Sequence, residues 1–147
     1  MISIHTCRFG LLEVDESAIL EFPSGVPGFE WSRRFAVVRP PELAPIVCLQ
    51  SLDSADFCLW AAPVAAIDEF YSLELSAEDS RALDLEKAPR PETLCLAILC
   101  APENGLLTAN LLAPVVVNLE RRLAVQAVRT DSRYSHRHAI AGEALCS

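Results

Sequence analysis

Residues 93–128 read TLCLAILCAPENGLLTANLLAPVVVNLERRLAVQAV, and the alternation of apolar runs with turn residues in this stretch decides the fold class. Short apolar runs bounded by turn signals are typical of strands, and they occupy residues 93–100, 106–112, 115–119 and 123–128. Asn104-Gly105 lies between the first two runs and predicts a hairpin, because both residues tolerate the positive φ of a type I′ turn. Residues 120–122 predict a second hairpin.

The same pattern continues towards the N-terminus. Further short apolar runs, each stopped by proline or polar residues, occupy residues 19–22, 35–38, 46–52 and 57–61. A capping box at Ser76–Asp79 predicts one short helix, and residues 64–71 allow a second. We therefore expect an all-β chain, a small antiparallel β-barrel-like domain with one or two short helices, over residues 1–135. Pro114 should interrupt its ladder at an edge or a bulge, and residues 136–147 are predicted to be a flexible C-terminal tail.

Composition and charge argue against membranes and nucleic acids as direct partners. The 147 residues are 52% hydrophobic and carry a net charge of −8, so the chain has the apolar content for a folded core. The apolar runs are shorter than the ~20 residues of a spanning helix, and no secretory signal is visible, which predicts a cytoplasmic protein without a membrane partner. Nucleic acid is a poor direct ligand, because its phosphates would be repelled. Eight of the 20 acids lie in residues 68–92.

Six cysteines are present, without a C-x-x-C spacing: Cys7, Cys48, Cys58, Cys95, Cys100 and Cys146. Four of them lie in apolar runs, so we interpret the cysteines as reduced, buried thiols rather than a disulfide framework. His136 and His138, with Cys146, leave open a small metal-binding barrel, although a mobile tail explains them more simply. We expect no catalytic site, cofactor or metal.

Polar residues inside apolar runs are the remaining candidates. Gln50, Ser51, Asn110 and Asn118 either satisfy loose backbone groups, as buried polar residues commonly do, or line a contact surface. A ligand-binding barrel with a pocket near Gln50 and Asn110 is the corresponding alternative.

Two segments together resemble a known family. The turn FPSGVPGFE at residues 22–30 and the strand TANLLAPVVVN at residues 108–118, in this order, are similar to the bacterial flagellar assembly factor FliW family. The resemblance runs from about Ile4 to Tyr134 and implies a monomeric, β-barrel-like binding protein of the cytoplasm rather than an enzyme. It further implies two partners, flagellin and the homodimeric translational repressor CsrA, whose repression of flagellin mRNA translation the family antagonises.

The apolar and amide character of a few residues suggests where partners bind. We expect Phe29, Gln50, Leu111 and Pro114 to form an apolar and amide patch near a sheet edge, although Leu111 has the residue type of a core position. The full set of candidate partner-binding residues is Phe29, Gln50, Ser51, Asn110, Leu111, Pro114 and Asn118. The acids of residues 68–92 are expected to attract the basic RNA-binding repressor.

Overall fold

The computed structural model describes residues 1–85, 92–101, 107–128 and 134–140. Within them the strands are β1 (Ile2–Thr6), β2 (Gly10–Val14), β3 (Ile19–Glu21), β4 (Arg34–Val38), β5 (Val47–Ser51), β6 (Cys58–Pro63), β7 (Thr93–Cys100), β8 (Thr108–Asn118), β9 (Leu123–Gln126) and β10 (His138–Ala139). The described helix α1 spans Ala77–Ala82, and single 3-10 turns occupy Glu16–Ala18, Pro41–Leu43 and Val64–Ala66. No described helix has the length and apolarity to cross a membrane.

Seven of the described strands close on themselves in the order β8-β7-β6-β5-β4-β3-β9, with β9 returning to β8. Neighbouring strands are antiparallel except for β3 and β9, which meet in parallel at Glu21 and Leu123. The all-β, barrel-like prediction is confirmed. Closure matters physically, because it pairs the backbone groups that an open sheet would leave at its edges.

The predicted hairpins are confirmed where the structure describes them. β7 pairs with β8 and β8 with β9, both antiparallel, and β5 and β6 form a further antiparallel pair. The Asn104-Gly105 turn itself lies outside the described residues. The runs 106–112 and 115–119 belong to one strand, because β8 continues through an irregularity in which Leu96 pairs with Val115 but Ile98 pairs with Asn110. Four β8 residues therefore face one β7 residue, which confirms the bulge expected at Pro114.

The N-terminal hairpin was not predicted. β1 and β2 form a separate two-stranded sheet, with Ile2 opposite Val14 and Thr6 opposite Gly10. The Thr6 hydroxyl closes the turn by donating to the Gly10 carbonyl at 2.8 Å and accepting from the Phe9 N–H at 2.8 Å. Alternating isoleucines at the start of the chain were the available strand signal.

The predicted tail is wrong for residues 136–140. β10 pairs with β8, with His138 opposite Ala109, and the side chain of Ile140 is buried. Backbone pairing and burial of Ile140 extend the barrel domain to at least this residue, whereas residues 141–147 lie outside the described part. The helix at Ser76 is confirmed, since its hydroxyl accepts from the Asp79 N–H at 3.0 Å. Residues 64–71 form only the 3-10 turn Val64–Ala66 followed by hydrogen-bonded turns.

Three buried clusters hold the fold together. The barrel interior contains Leu20, Phe22, Val26, Phe35, Val47, Leu49, Ala61, Leu96, Val115, Val117 and Ala124. A second cluster, which includes Val64, Leu111 and Ile140, joins the C-terminal segment to β6–β8. A third packs Leu83, just after α1, against Val116 and Val125. Strand β8 contributes to all three clusters, which explains why its sequence is almost continuously apolar.

Candidate functional site

The family-like turn at residues 22–31 connects β3 to β4. The Gly25 N–H donates to the Phe22 carbonyl at 2.9 Å, and Gly25 has φ +73°. A Cβ at Gly25 would lie 2.6 Å from the Cα of Glu30, so both conformation and space require glycine. The Gly28 N–H donates to a Glu30 carboxylate oxygen at 3.2 Å. The two glycines, both with positive φ, therefore shape a tight turn.

Two aromatic side chains project from this turn into solvent. Phe29 is 43% exposed and Trp31 is 56% exposed. Their rings pack on Phe57 from the β5–β6 loop, with centroid distances of 4.7 Å for Phe29 and 5.4 Å for Trp31. Phe57 in turn contacts the buried Phe35 at 5.9 Å. We call Phe29, Trp31 and Phe57 the aromatic cluster; it is an exposed surface anchored to the barrel core.

Gln50 and Ser51 lie beneath this cluster and are buried. The Gln50 amide donates to the Phe57 carbonyl at 3.2 Å and also reaches the carbonyls of Ser54 and Ala55. The Ser51 hydroxyl lies 2.7 Å from that of Ser32 and accepts from loop N–H groups. Both side chains therefore hold the loop that carries Phe57, as the structural interpretation expects.

Asn110 organises the β8 bulge. Its side-chain oxygen accepts from the N–H groups of Leu112 and Ala113, both at 3.0 Å. Leu111 is 1% exposed, and its carbonyl accepts a 2.6 Å hydrogen bond from the Tyr71 hydroxyl. Pro114 is also fully buried. The polar residue thus satisfies backbone groups that the bulge removes from the ladder.

Asn118 is fully buried at the end of β8. Its amide donates to the Leu83 carbonyl at 2.6 Å. Its side-chain oxygen accepts from the N–H groups of Glu120 and Arg121, both at 3.1 Å. One side chain therefore joins the segment after α1 to the β8–β9 turn.

The expected apolar and amide patch does not exist as a surface. Of Phe29, Gln50, Leu111 and Pro114, only Phe29 is exposed, because the other three fill the core or hold loops. Ser51 and Asn118 are buried as well, so a direct partner contact by these residues stays a prediction that their burial disfavours. Sequence reasoning missed Trp31 and Phe57. A tryptophan two residues after Phe29 was the available signal, but exposure could not be inferred from it.

A cleft of about 400 Å³ lies on another side of the same turn. We call it the α1 cleft, since it is bounded by the turn, by α1 with its cap and by the β9 segment. It is lined by Ser24, Gly25, Pro27, Glu30, Ser76, Glu78, Asp79, Ala82, Ala124, Val125, Gln126 and Val128. Three carboxylates and no lysine or arginine are among these residues. Val128 at the cleft is 64% exposed.

The thiols do not form a reactive cluster in the described structure. Cys7, Cys48, Cys58 and Cys100 are free thiols; Cys48 is buried, but Cys7 and Cys100 are exposed, which corrects the expectation of buried thiols at these two positions. Burial raises the pKa of the Cys48 thiol to about 12, and the neighbouring Cys58 adds to the shift. No group of three potential metal ligands occurs among the described residues. Cys146 lies outside them.

Comparison with known proteins agrees with this architecture. The family model described as FliW protein matches residues 3–140. The flagellar assembly factor FliW of Geotalea uraniireducens (strain Rf4) is 36% identical over 138 residues, which cover 93% of this chain and 83% of that relative. The protein of the same name from Bacillus subtilis (strain 168) is 32% identical over 140 residues, covering 95% and 97%. A crystal structure of the flagellar assembly factor FliW superposes with a TM-score of 0.84 at 25% identity, covering 97% of this chain and 99% of that one.

Proposed function

The chain belongs to the FliW family of flagellar assembly factors, and from this premise we propose that it acts by binding two proteins in the cytoplasm. One partner is flagellin. The other is the homodimeric translational repressor CsrA, whose repression of flagellin mRNA translation the chain antagonises. The role is that of a non-catalytic regulator, and the chain acts on RNA only through its protein partner.

The aromatic cluster is the observation that carries this proposal. Tryptophan and other aromatic side chains are over-represented among the few residues that supply most of the binding energy in protein interfaces. Phe29 and Trp31 are solvent-exposed neighbours rather than scattered single residues, and they rest on Phe57. Because the glycine turn and Phe57 already fix these rings, little side-chain entropy remains to be lost when a partner covers them.

Net charge supports the second partner. A domain of net charge −8 associates faster with a basic protein than with an acidic one, because complementary charge raises the on-rate and disfavours wrong partners. The same charge repels phosphate groups, so docking on an RNA-binding protein would also oppose RNA occupancy.

Isothermal titration calorimetry with purified flagellin and with purified CsrA tests the proposal. Trp31→Ala and Phe29→Ala should weaken binding of at least one partner by about tenfold or more, the effect of truncating an interface anchor. Phe70→Ala is the matched control, since Phe70 is 84% exposed and lies outside the cluster. Competition between labelled flagellin and CsrA for the wild-type chain would indicate a three-way switch. Absence of binding to both partners, or full binding by Trp31→Ala, would overturn the corresponding part of the proposal.

A further inference from the structure

We propose that the α1 cleft docks an arginine- or lysine-bearing segment of a protein partner, which lies across the turn onto the aromatic cluster. This inference rests on the proposed function only in that the chain binds proteins. It adds a second surface and states the chemistry of the segment that occupies it.

Charge selects a cationic occupant. Glu30 lines the α1 cleft from the turn, and Glu78 and Asp79 line it from α1, so acidic residues border the cleft on two separate elements. No basic residue is among those that line it, and Glu30 is held in place by the Gly28 N–H. A guanidinium or ammonium group entering the cleft would therefore gain hydrogen bonds to carboxylates in which both partners are charged, whereas an anionic group would be repelled.

The apolar floor favours a long side chain over a bare ion. Val125 is 9% exposed, and the partly buried Ala82 contributes from α1. Methylene groups of lysine or arginine can cover such a floor while the charged end stays at the carboxylate rim. A metal ion is the poorer occupant, because no three potential ligands approach one another closely enough among the described residues.

The turn links the cleft to the exposed aromatic residues. Glu30 lines the α1 cleft, whereas its two chain neighbours, Phe29 and Trp31, form the exposed side of the aromatic cluster. A partner segment that presents a basic side chain beside an apolar one can thus engage both surfaces at once. Exposed Val128 extends the apolar contact on the far side of the cleft.

Charge-neutralising variants test the inference. Binding of purified flagellin and of purified CsrA would be measured for the double variant Glu78→Gln with Asp79→Asn, at about 50 mM and about 300 mM NaCl, where screening differs strongly. The control is Glu13→Gln with Glu42→Gln, which changes the net charge equally at exposed sites outside the cleft. For one partner the cleft variant should bind about fivefold or more weakly at low salt, with a smaller difference at high salt, and the control should stay within about twofold of wild type.

Two substitutions at Val128 should change the affinity for the partner in opposite directions. Val128→Arg places a cation at the cleft and should weaken binding of that partner, whereas Val128→Glu adds an acid and should strengthen it. A synthetic peptide of alternating arginine and leucine should bind the wild-type chain saturably, and the cleft double variant should lose this binding. Thermal unfolding monitored by circular dichroism would confirm that each variant is folded.

The outcomes separate the two proposals. If the cleft and control variants lower partner binding equally and the peptide does not bind, the cleft inference is overturned. The proposed function is then left intact. Peptide binding that depends on Glu78 and Asp79 would support the cleft even if flagellin and CsrA both failed to bind, a result that would overturn the proposed function instead.

Discussion

Replacing Asn118 with alanine should destabilise the barrel by about 2–4 kcal/mol. The change leaves the Leu83 carbonyl without its 2.6 Å donor, and a buried polar group left unsatisfied costs about 1–3 kcal/mol. The N–H groups of Glu120 and Arg121 also lose their acceptor, but these residues are exposed, so water replaces it at about 0.5 kcal/mol each. The free energy of unfolding of a domain is usually about 5–15 kcal/mol, so this loss would be a large fraction of it.

Urea unfolding followed by circular dichroism measures this effect. With an m-value of about 2 kcal/mol/M, the midpoint should fall by about 1–2 M. Asn110→Ala is the control, because it also removes two hydrogen bonds to backbone N–H groups, but from a side chain that is only partly buried, and it should cost about 1 kcal/mol. A loss for Asn118→Ala below about 1 kcal/mol, or one no larger than for Asn110→Ala, would refute the reasoning.

Asn118→Asp distinguishes the lost donor from the lost volume. The new carboxyl keeps an acceptor for Glu120 and Arg121, but its second oxygen faces the Leu83 carbonyl and can donate only when protonated. Its folded-state pKa should therefore lie above the unfolded value of about 3.9. The stabilisation is then present below pH ~3.9 and lost as the pH rises through the folded-state pKa. Relative to wild type, this variant should be less destabilised at acidic pH than at pH ~7, and a pH-independent difference would contradict the assignment.

Other positions give equally specific expectations. Gly25→Ala should lower the melting temperature more than Gly28→Ala, because an added Cβ meets the Glu30 backbone at 2.6 Å in the first case and nothing within 4 Å in the second; equal shifts in calorimetry would contradict this. A thiol reagent at pH ~8 should modify Cys7 and Cys100 well before Cys48, whose buried thiol has a pKa raised to about 12. Since the folded-state pKa is raised, the stabilisation from protonated Cys48 is complete below pH 9 and is lost between pH 9 and about 12, and Cys48→Ala should flatten that part of the stability profile. Leu111→Asp should unfold the chain rather than remove one partner selectively, because Leu111 is 1% exposed, whereas Val128→Asp at a 64% exposed site should remain folded by circular dichroism.

The predictable part of the fold is local. Apolar runs of strand length, the turn residues between them and the Ser76 capping box act over a few neighbouring residues, so they identify β3 to β9 and α1 without any distant contact. Pro114 likewise predicts the bulge in β8, since a residue without an N–H cannot continue the hydrogen-bond ladder between strands. β10 could not be predicted in this way, because a strand of two residues is too short to show an alternation of apolar and polar residues.

The candidate site depends on distant contacts instead. Nothing local distinguishes exposed Phe29 from buried Phe22, although both flank the same turn; the barrel interior covers one and not the other. The structural role of the Gln50 and Asn118 amides also depends on distant contacts, because the backbone groups to which they donate lie on other segments of the chain.

Taken by itself, the sequence determined the strand and turn pattern, the acidic charge and the resemblance to the FliW family. Only the tertiary structure decided which side chains reach solvent, how the ring of strands closes through the parallel contact of β3 and β9, and that residues 24–30, 76–82 and 124–128 meet around one cleft. The physical reason is that strand and turn preferences follow from backbone geometry over a few residues, whereas exposure and clefts arise only when segments far apart in the chain exclude water from one another.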